Sequence, residues 1–394
     1  MNRAWTEFLA RLDGALDEAE ALNRRRTLRP LARLPGGRVS LDDGRVLIDV
    51  SSNDYLGLAL HPQVRLRAAE YAERLGGSAP ASRLVSGTLP EHLKVEQRLA
   101  AFKRTEAALL FASGWQANSS VLPALIELMA GPVKVFSDRL NHASLHAGLA
   151  QAGQRQIRFR HNDLDHLERQ LQAAENQGRT RLIVTESVFS MDGDRADLDG
   201  LLQLADRHDA LLYIDEAHAT GVLGPGGAGL AAALPEGAPV IVMGTLGKAL
   251  GGFGAYVAGP RTLTDALVQR CGGFIYSTAP PPAVLGALDA ALDLLPDMDA
   301  EREGLLGAAA RVRAAAQARD LPTFGSTTQI VPVGLGEEAR ALEAMKTLED
   351  AGLLAVAIRP PTVPEGASRL RISLSAAHDD QAIDRLVEAI GTIR

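Results

Sequence analysis

Leu211-Leu-Tyr-Ile-Asp-Glu-Ala-His218 and, further along, Val240-Ile-Val-Met-Gly-Thr-Leu-Gly-Lys248 decide the architecture of this chain. Each opens on a short unbroken apolar run and closes on polar residues. Runs that are continuous rather than alternating suit strands covered on both faces, as in a mostly parallel sheet between two helical layers. The pattern recurs at Ala107-Ala-Leu-Leu-Phe-Ala112, Lys134-Val-Phe-Ser137 and Leu182-Ile-Val-Thr185, with amphipathic helices between most of them and a helix over Glu91 to Arg104 before the first. This predicts an α/β domain of three layers. After Pro280-Pro-Pro282 the pattern changes. Two Ala/Leu-rich helices run to about Arg319, then come a strand at Gln329 to Val333, a helix around Glu337 to Ala351, a strand at Leu370 to Leu374 and a last helix. That reads as a smaller α+β domain. At the other end, Trp5, Phe8, Leu9, Leu12 and Leu16 have helical spacing; a turn-rich stretch near Pro30 to Gly37 leads to a strand at Arg45 to Val50. The expected division is an N-terminal helix and arm over 1–44, a large domain over 45–283 and a small domain over 284–394.

Composition narrows the class. A chain of 394 residues is too long for one core and suits two domains meeting around a cleft. With 46% hydrophobic and 23% charged residues it is an ordinary globular sequence, not a disordered one. The net charge of -7 and the lack of a basic stripe argue against a nucleic-acid partner. Arg24 to Arg26 is a short basic cluster that a solvated helix end would also explain. A single cysteine, Cys271, rules out an internal disulfide and any cysteine-built zinc site, and points to a reducing compartment. Met1 to Glu20 has no apolar core of a signal peptide, and no stretch is apolar enough to span a bilayer. A cytoplasmic protein with no membrane contact is the expectation.

Three motifs mislead. Asp215-Glu-Ala-His218 spells a helicase string, but an ATPase needs a phosphate loop upstream, and the one Gly-Lys pair, Gly247-Lys248, lies downstream with Ala249 after it. Gly224-Pro-Gly-Gly-Ala-Gly229 matches a dinucleotide fingerprint, yet it does not leave a strand directly and Pro225 interrupts it, so a turn is the better reading. His142 and His146 have the spacing of a helical zinc pair, but Ala143 stands where the zincin glutamate belongs; no metal is expected.

What remains is a constellation at strand ends, where open α/β sheets bind ligands. Asp215 closes one apolar run; Thr245 and the Gly-flanked Lys248 follow the next. A lone Asp or Lys there is usually structural. Together they answer the needs of one cofactor: pyridoxal 5'-phosphate (PLP) requires a lysine for its Schiff base and a carboxylate to keep its pyridine nitrogen protonated. Ser113-Gly114-Trp115-Gln-Ala-Asn118 follows the first sheet strand and opens a helix, whose free amides could seat the phosphate. Thr245 offers a hydroxyl nearby. Trp115 alone could equally be packing.

Seven motifs carry a resemblance over nearly the whole chain: Ser52-Asn-Asp-Tyr-Leu-Gly57, Ala81-Ser-Arg-Leu-Val-Ser-Gly87, Asn141-His-Ala-Ser144, Thr185-Glu-Ser-Val-Phe-Ser-Met-Asp-Gly193, Asp215-Glu-Ala-His218, Thr245-Leu-Gly-Lys248 and Arg359-Pro-Pro-Thr-Val-Pro364. In this order the sequence resembles the α-oxoamine synthase family of fold-type I PLP enzymes, which are aspartate aminotransferase-like transferases. The resemblance implies that Lys248 carries PLP, Asp215 pairs with the pyridine nitrogen, His218 hydrogen-bonds the ring hydroxyl and His142 stacks on the ring. It places Ser190, Thr245, Gly114 and Trp115 at the cofactor, and Arg371 with Asn53 at the amino-acid carboxylate. Arg24 and Thr362, with Arg359 a further candidate, would contact the acyl substrate. It also implies a homodimer, with Thr278 reaching the neighbour's phosphate. The implied reaction condenses an amino acid, alanine with glycine the smaller rival, with an acyl thioester and releases CO2. The thiol carrier would be coenzyme A or an acyl-carrier protein. The Arg359-to-Pro364 string favours a pimeloyl chain; a glycine C-acetyltransferase is the alternative. Trp115, Ala219 and Pro80 depart from the family's usual residues.

Overall fold

The apolar runs assemble into one seven-stranded sheet in the order Ala107–Phe111, Ala255–Gly259, Val240–Thr245, Ala210–Asp215, Thr180–Glu186, Val133–Asp138, Gln156–Phe159. Only Ala255–Gly259 runs against the rest. This antiparallel strand, buried along its whole length, was not foreseen; its signal is the run Ala255-Tyr-Val-Ala258 between glycines. In the computed structural model, which describes residues 2–129, 131–174 and 180–393, both sheet faces are covered. Leu109, Val135, Val184 and Met243 pack with Val121, Leu125, Leu145 and Leu149 of helices Gly114–Leu128 and Ala143–Gln151. Phe136, Ile183, Leu212 and Ile214 pack on the other side with Leu167, Leu171, Leu201 and Leu204 of helices Leu164–Gln172 and Leu198–Arg207. Two-sided burial is why these strands lack alternation.

The chain divides into two compact units. One comprises Asn53–Ser190 and Asp194–Leu305, the other Met1–Ser52, Met191–Gly193 and Leu306–Arg394. These boundaries differ from those expected from the sequence. Strand Val46–Asp49 pairs with Arg38–Ser40 and, in parallel, with Leu353–Leu354, so it belongs with the C-terminal part rather than with the large sheet. Helix Pro282–Leu294 stays in the larger unit because it packs on helix Pro62–Leu75, and its buried Asp289 bonds Arg67, Tyr71, Lys94 and Arg98. Neither partnership leaves a local trace in the sequence.

In the smaller unit, Ser368–Ser373 lies between Ile330–Gly336 and Val356–Ile358 in an antiparallel sheet. Helix Arg3–Ala21 forms where the spacing predicts it but buries none of its residues. No helix among the described residues is long and apolar enough to cross a membrane.

Candidate active site

Asp215 ends its strand buried, at 4% exposure. A carboxylate there needs donors. Asn118 Nδ2 donates to its Oδ2 and the backbone N–H of Ala217 to its Oδ1, each at 2.8 Å. Burial raises the Asp215 pKa, while the Lys248 charge and these two bonds pull it back. The adjacent strand sets Glu186 in register opposite Asp215. Burial and then the Asp215 charge push the Glu186 pKa well above the ordinary carboxylate range, and its Oε1 accepts from the His142 backbone N–H at 2.5 Å. Two buried carboxylates side by side resolve into one anion and one neutral acid. The donors on Asp215 assign it the charge.

Lys248 Nζ lies 2.9 Å from His218 Nε2, and His218 Nδ1 lies 2.6 Å from the Tyr55 hydroxyl. Tyr55 donates to Asn53 Oδ1 at 3.1 Å. The Tyr55 oxygen therefore accepts the His218 Nδ1 proton, and Nε2 is left to accept from the lysine amine. Ser113 caps helix Gly114–Leu128 by accepting from the Gln116 N–H. A Cβ at position 114 would stand 2.6 Å from Thr245 Cγ2, so glycine is what lets this helix N-terminus come up against the end of strand Val240–Thr245. Trp115 is half exposed, its ring edge-on to His142 at 6.4 Å. These features fit PLP: an amine, a buried anion for the ring nitrogen, an imidazole beside an aromatic ring, and helix amides with a hydroxyl beside a glycine-sized gap for phosphate.

The structure thus brings together Lys248, His218, Asp215 and His142, and separately Gly114 with Thr245. Asn53 joins them through Tyr55. Ser190 is half buried; Thr278 is exposed, in a short strand paired with Ser82. The remaining candidates lie in the smaller unit. Arg371 is buried in the central strand of its sheet, its Nη1 3.4 Å from Ser373 Oγ. Arg369, on the same strand, bonds Asp192 and stacks on Phe324 at 3.8 Å, which answers the like charges of that strand with a separate acid. Arg24 bonds Glu338 and Glu365, both at 2.9 Å. Arg359 bonds the Asn23 carbonyl, and Thr362 accepts from Arg26 at 3.3 Å. Sequence reasoning gave no role to Tyr55, Asn118, Ser144 or Glu186, although all four stand inside quoted motifs; a buried position for a polar side chain is the signal, and only the fold shows it.

The fold and this cluster define a PLP-type transferase: the family model for aminotransferase class I and II matches residues 45–390. The 8-amino-7-oxononanoate synthase of Gluconacetobacter diazotrophicus is 56% identical, over 98% of this chain and 97% of its own. A serine palmitoyltransferase variant from S. paucimobilis, solved with a bound PLP–myriocin aldimine, superposes with a TM-score of 0.90 at 28% identity, covering 98% of each chain. The 8-amino-7-oxononanoate synthase of Francisella tularensis superposes with a TM-score of 0.75 at 26% identity, over 88% of this chain and 97% of that one. This chain belongs to the 8-amino-7-oxononanoate synthase family within that aminotransferase class.

Proposed function

We propose that the chain condenses alanine with a pimeloyl thioester, on coenzyme A or acyl-carrier protein, to give 8-amino-7-oxononanoate, CO2 and the free thiol. The observation that carries this is the Lys248–His218–Tyr55 chain set beside the Asp215 anion. PLP, when bound, supplies an electron sink for the α-carbon of an amino acid. Asp215, held by Asn118 and the Ala217 N–H, would face the ring nitrogen and keep it protonated. Lys248 would hold the cofactor, and its free amine would take the α-proton of the amino acid and return one to the product carbon. His218, fixed by Tyr55, steers that amine. Arg371, whose planar fork matches a carboxylate, holds the amino acid. Arg24, Arg359 and Thr362 would contact the acyl chain or its carrier, Arg24 by giving up Glu338 and Glu365. The working form is a cytoplasmic homodimer, with Thr278 serving the partner's phosphate, and the lone buried Cys271 suits a reducing compartment.

Carbon balance selects alanine. A nonanoate needs nine carbons; pimeloyl brings seven, and alanine after loss of CO2 brings two, whereas glycine brings one. The test is a competition in which alanine or glycine is offered with pimeloyl-, succinyl- and acetyl-CoA, read by product mass and CO2 release. Alanine with pimeloyl should dominate by tens of fold or more in kcat/KM, the roughly 1–3 kcal/mol that unpaired buried polar groups cost with the wrong chain. Preferred use of acetyl-CoA would overturn the substrate assignment.

A further inference from the structure

Asn118 is 1% exposed and has no charge, yet each of its polar atoms is engaged. Asp215 can only accept while ionised, so the side-chain nitrogen of Asn118 must face it. The second N–H of that nitrogen then points to Ser144 Oγ, 2.9 Å away, and the amide oxygen accepts from the Tyr213 hydroxyl at 2.9 Å. Ser144, also 1% exposed, therefore receives a hydrogen bond and has one proton left to give. Its oxygen lies 2.7 Å from His142 Nδ1. The Ser144 backbone N–H, which can only donate, points to the same nitrogen at 3.2 Å. Every direction in the chain Tyr213, Asn118, Ser144, His142 is thereby fixed.

We propose that Asn118 is a positioning residue that sets two groups at once: through Ser144 it holds His142 as the neutral imidazole with its proton on Nε2, and directly it holds the Asp215 carboxylate. The ring face and the ring-nitrogen site are then tuned by one amide. The spacing comes from helix packing. A Cβ on Gly148 would stand 2.3 Å from the Asn118 carbonyl oxygen, so glycine lets helix Ala143–Gln151 lie close enough to helix Gly114–Leu128 for Asn118 and Ser144 to meet. The charged and titratable groups around His142 are consistent with a neutral ring. Lys248 and His146 oppose its protonation, Asp215 favours it, Glu186 takes its backbone N–H, and burial is the largest influence and lowers its pKa.

The relay lies within the chain and does not depend on the cofactor; its bearing on ring chemistry rests on the proposed PLP site. The test is nitrogen NMR of full-length, deuterated protein labelled with 15N-histidine, with and without PLP. The His142 signal is assigned by its loss in His142→Asn, and PLP loading is checked separately by visible absorbance. The wild type should show a single His142 tautomer with hydrogen on Nε2 in both forms. Ser144→Ala, which removes one of two donors to Nδ1, should move the His142 titration upward in pH, and Ser144→Thr should restore it. Asn118→Leu combined with Tyr213→Phe, so that no hydroxyl is stranded, should move the titration in the same direction, because the Ser144 hydroxyl is no longer turned toward Nδ1, and an unchanged titration there overturns the role of Asn118. A wild-type Nδ1–H tautomer overturns the proposal, even if every variant misfolds. So does an unchanged titration in Ser144→Ala. Loss of PLP absorbance with the tautomer intact would count against the cofactor site and leave the relay standing.

Discussion

Asp215 accepts two hydrogen bonds and the nearby Lys248 charge favours its ionised form, so replacing it by asparagine tests the charge and not the shape. Asp215→Asn should still take up PLP, read by visible absorbance, while kcat falls by several powers of ten, because a few kcal/mol of preorganised electrostatic stabilisation disappear. Near-normal turnover would contradict the electron-sink role. Arg371 poses the complementary question in the smaller unit. Lysine keeps its charge but loses the bidentate fork. Arg371→Lys should raise the KM for the amino acid far more than that for the acyl thioester in initial-rate kinetics. An unchanged amino-acid KM would move the carboxylate site to Arg359, since Arg369 is committed to Asp192.

The segment that leaves strand Ala210–Asp215 and carries His218 is tied down by a buried pair. Lys103 Nζ lies 2.6 Å from Glu216 Oε2 and also bonds the Ala228 carbonyl; Glu216 Oε1 accepts from the Ala231 N–H at 2.9 Å. Both side chains are sealed from solvent, at 1% and 0% exposure. Removing one partner leaves the other charge buried and uncompensated. Lys103→Met should therefore cost about 3–5 kcal/mol in urea unfolding, and Lys103→Met with Glu216→Leu should recover a large part of it. A loss below 1 kcal/mol in the single variant would mean that water or another cation reaches Glu216.

For the molecule as a whole, two clusters of the larger unit contribute stability that depends on pH. Burial alone would raise the Asp289 pKa, but hydrogen bonds from Lys94, Arg98 and Tyr71 outweigh it and hold the pKa at about 2, against an ordinary value of 3.8. A depressed carboxylate stabilises above its unfolded pKa and loses that contribution as pH falls through the folded value. Roughly 2 kcal/mol should be lost between about pH 4 and pH 2. Asp289→Asn should be less stable at neutral pH and flatter across that window in urea melts. His161 works at the other edge. Burial opposes its protonation, yet its bonds to Asp138 at 3.0 Å and Asp194 at 2.8 Å raise its pKa from 6.5 to about 10. Its contribution is complete below about pH 6.5 and fades as pH rises through about 10.

Much of this is legible in the sequence. Buried parallel strands announce themselves as unbroken apolar runs, so Ala107–Phe111, Thr180–Glu186, Ala210–Asp215 and Val240–Thr245 could be located, and with them the strand ends that carry Asp215 and Lys248. Those are local properties, written in adjacent residues. The pairing of Val46–Asp49 with Leu353–Leu354, the attachment of helix Pro282–Leu294 to the larger unit, and the meeting of Asn118, Ser144 and Glu186 around His142 and Asp215 are contacts between residues far apart in the chain. No local pattern encodes such contacts, because desolvation and hydrogen-bond direction depend on what tertiary packing brings alongside. The sequence by itself determined which residues could do the chemistry; only the tertiary structure decided which of them are charged, neutral or held in one orientation.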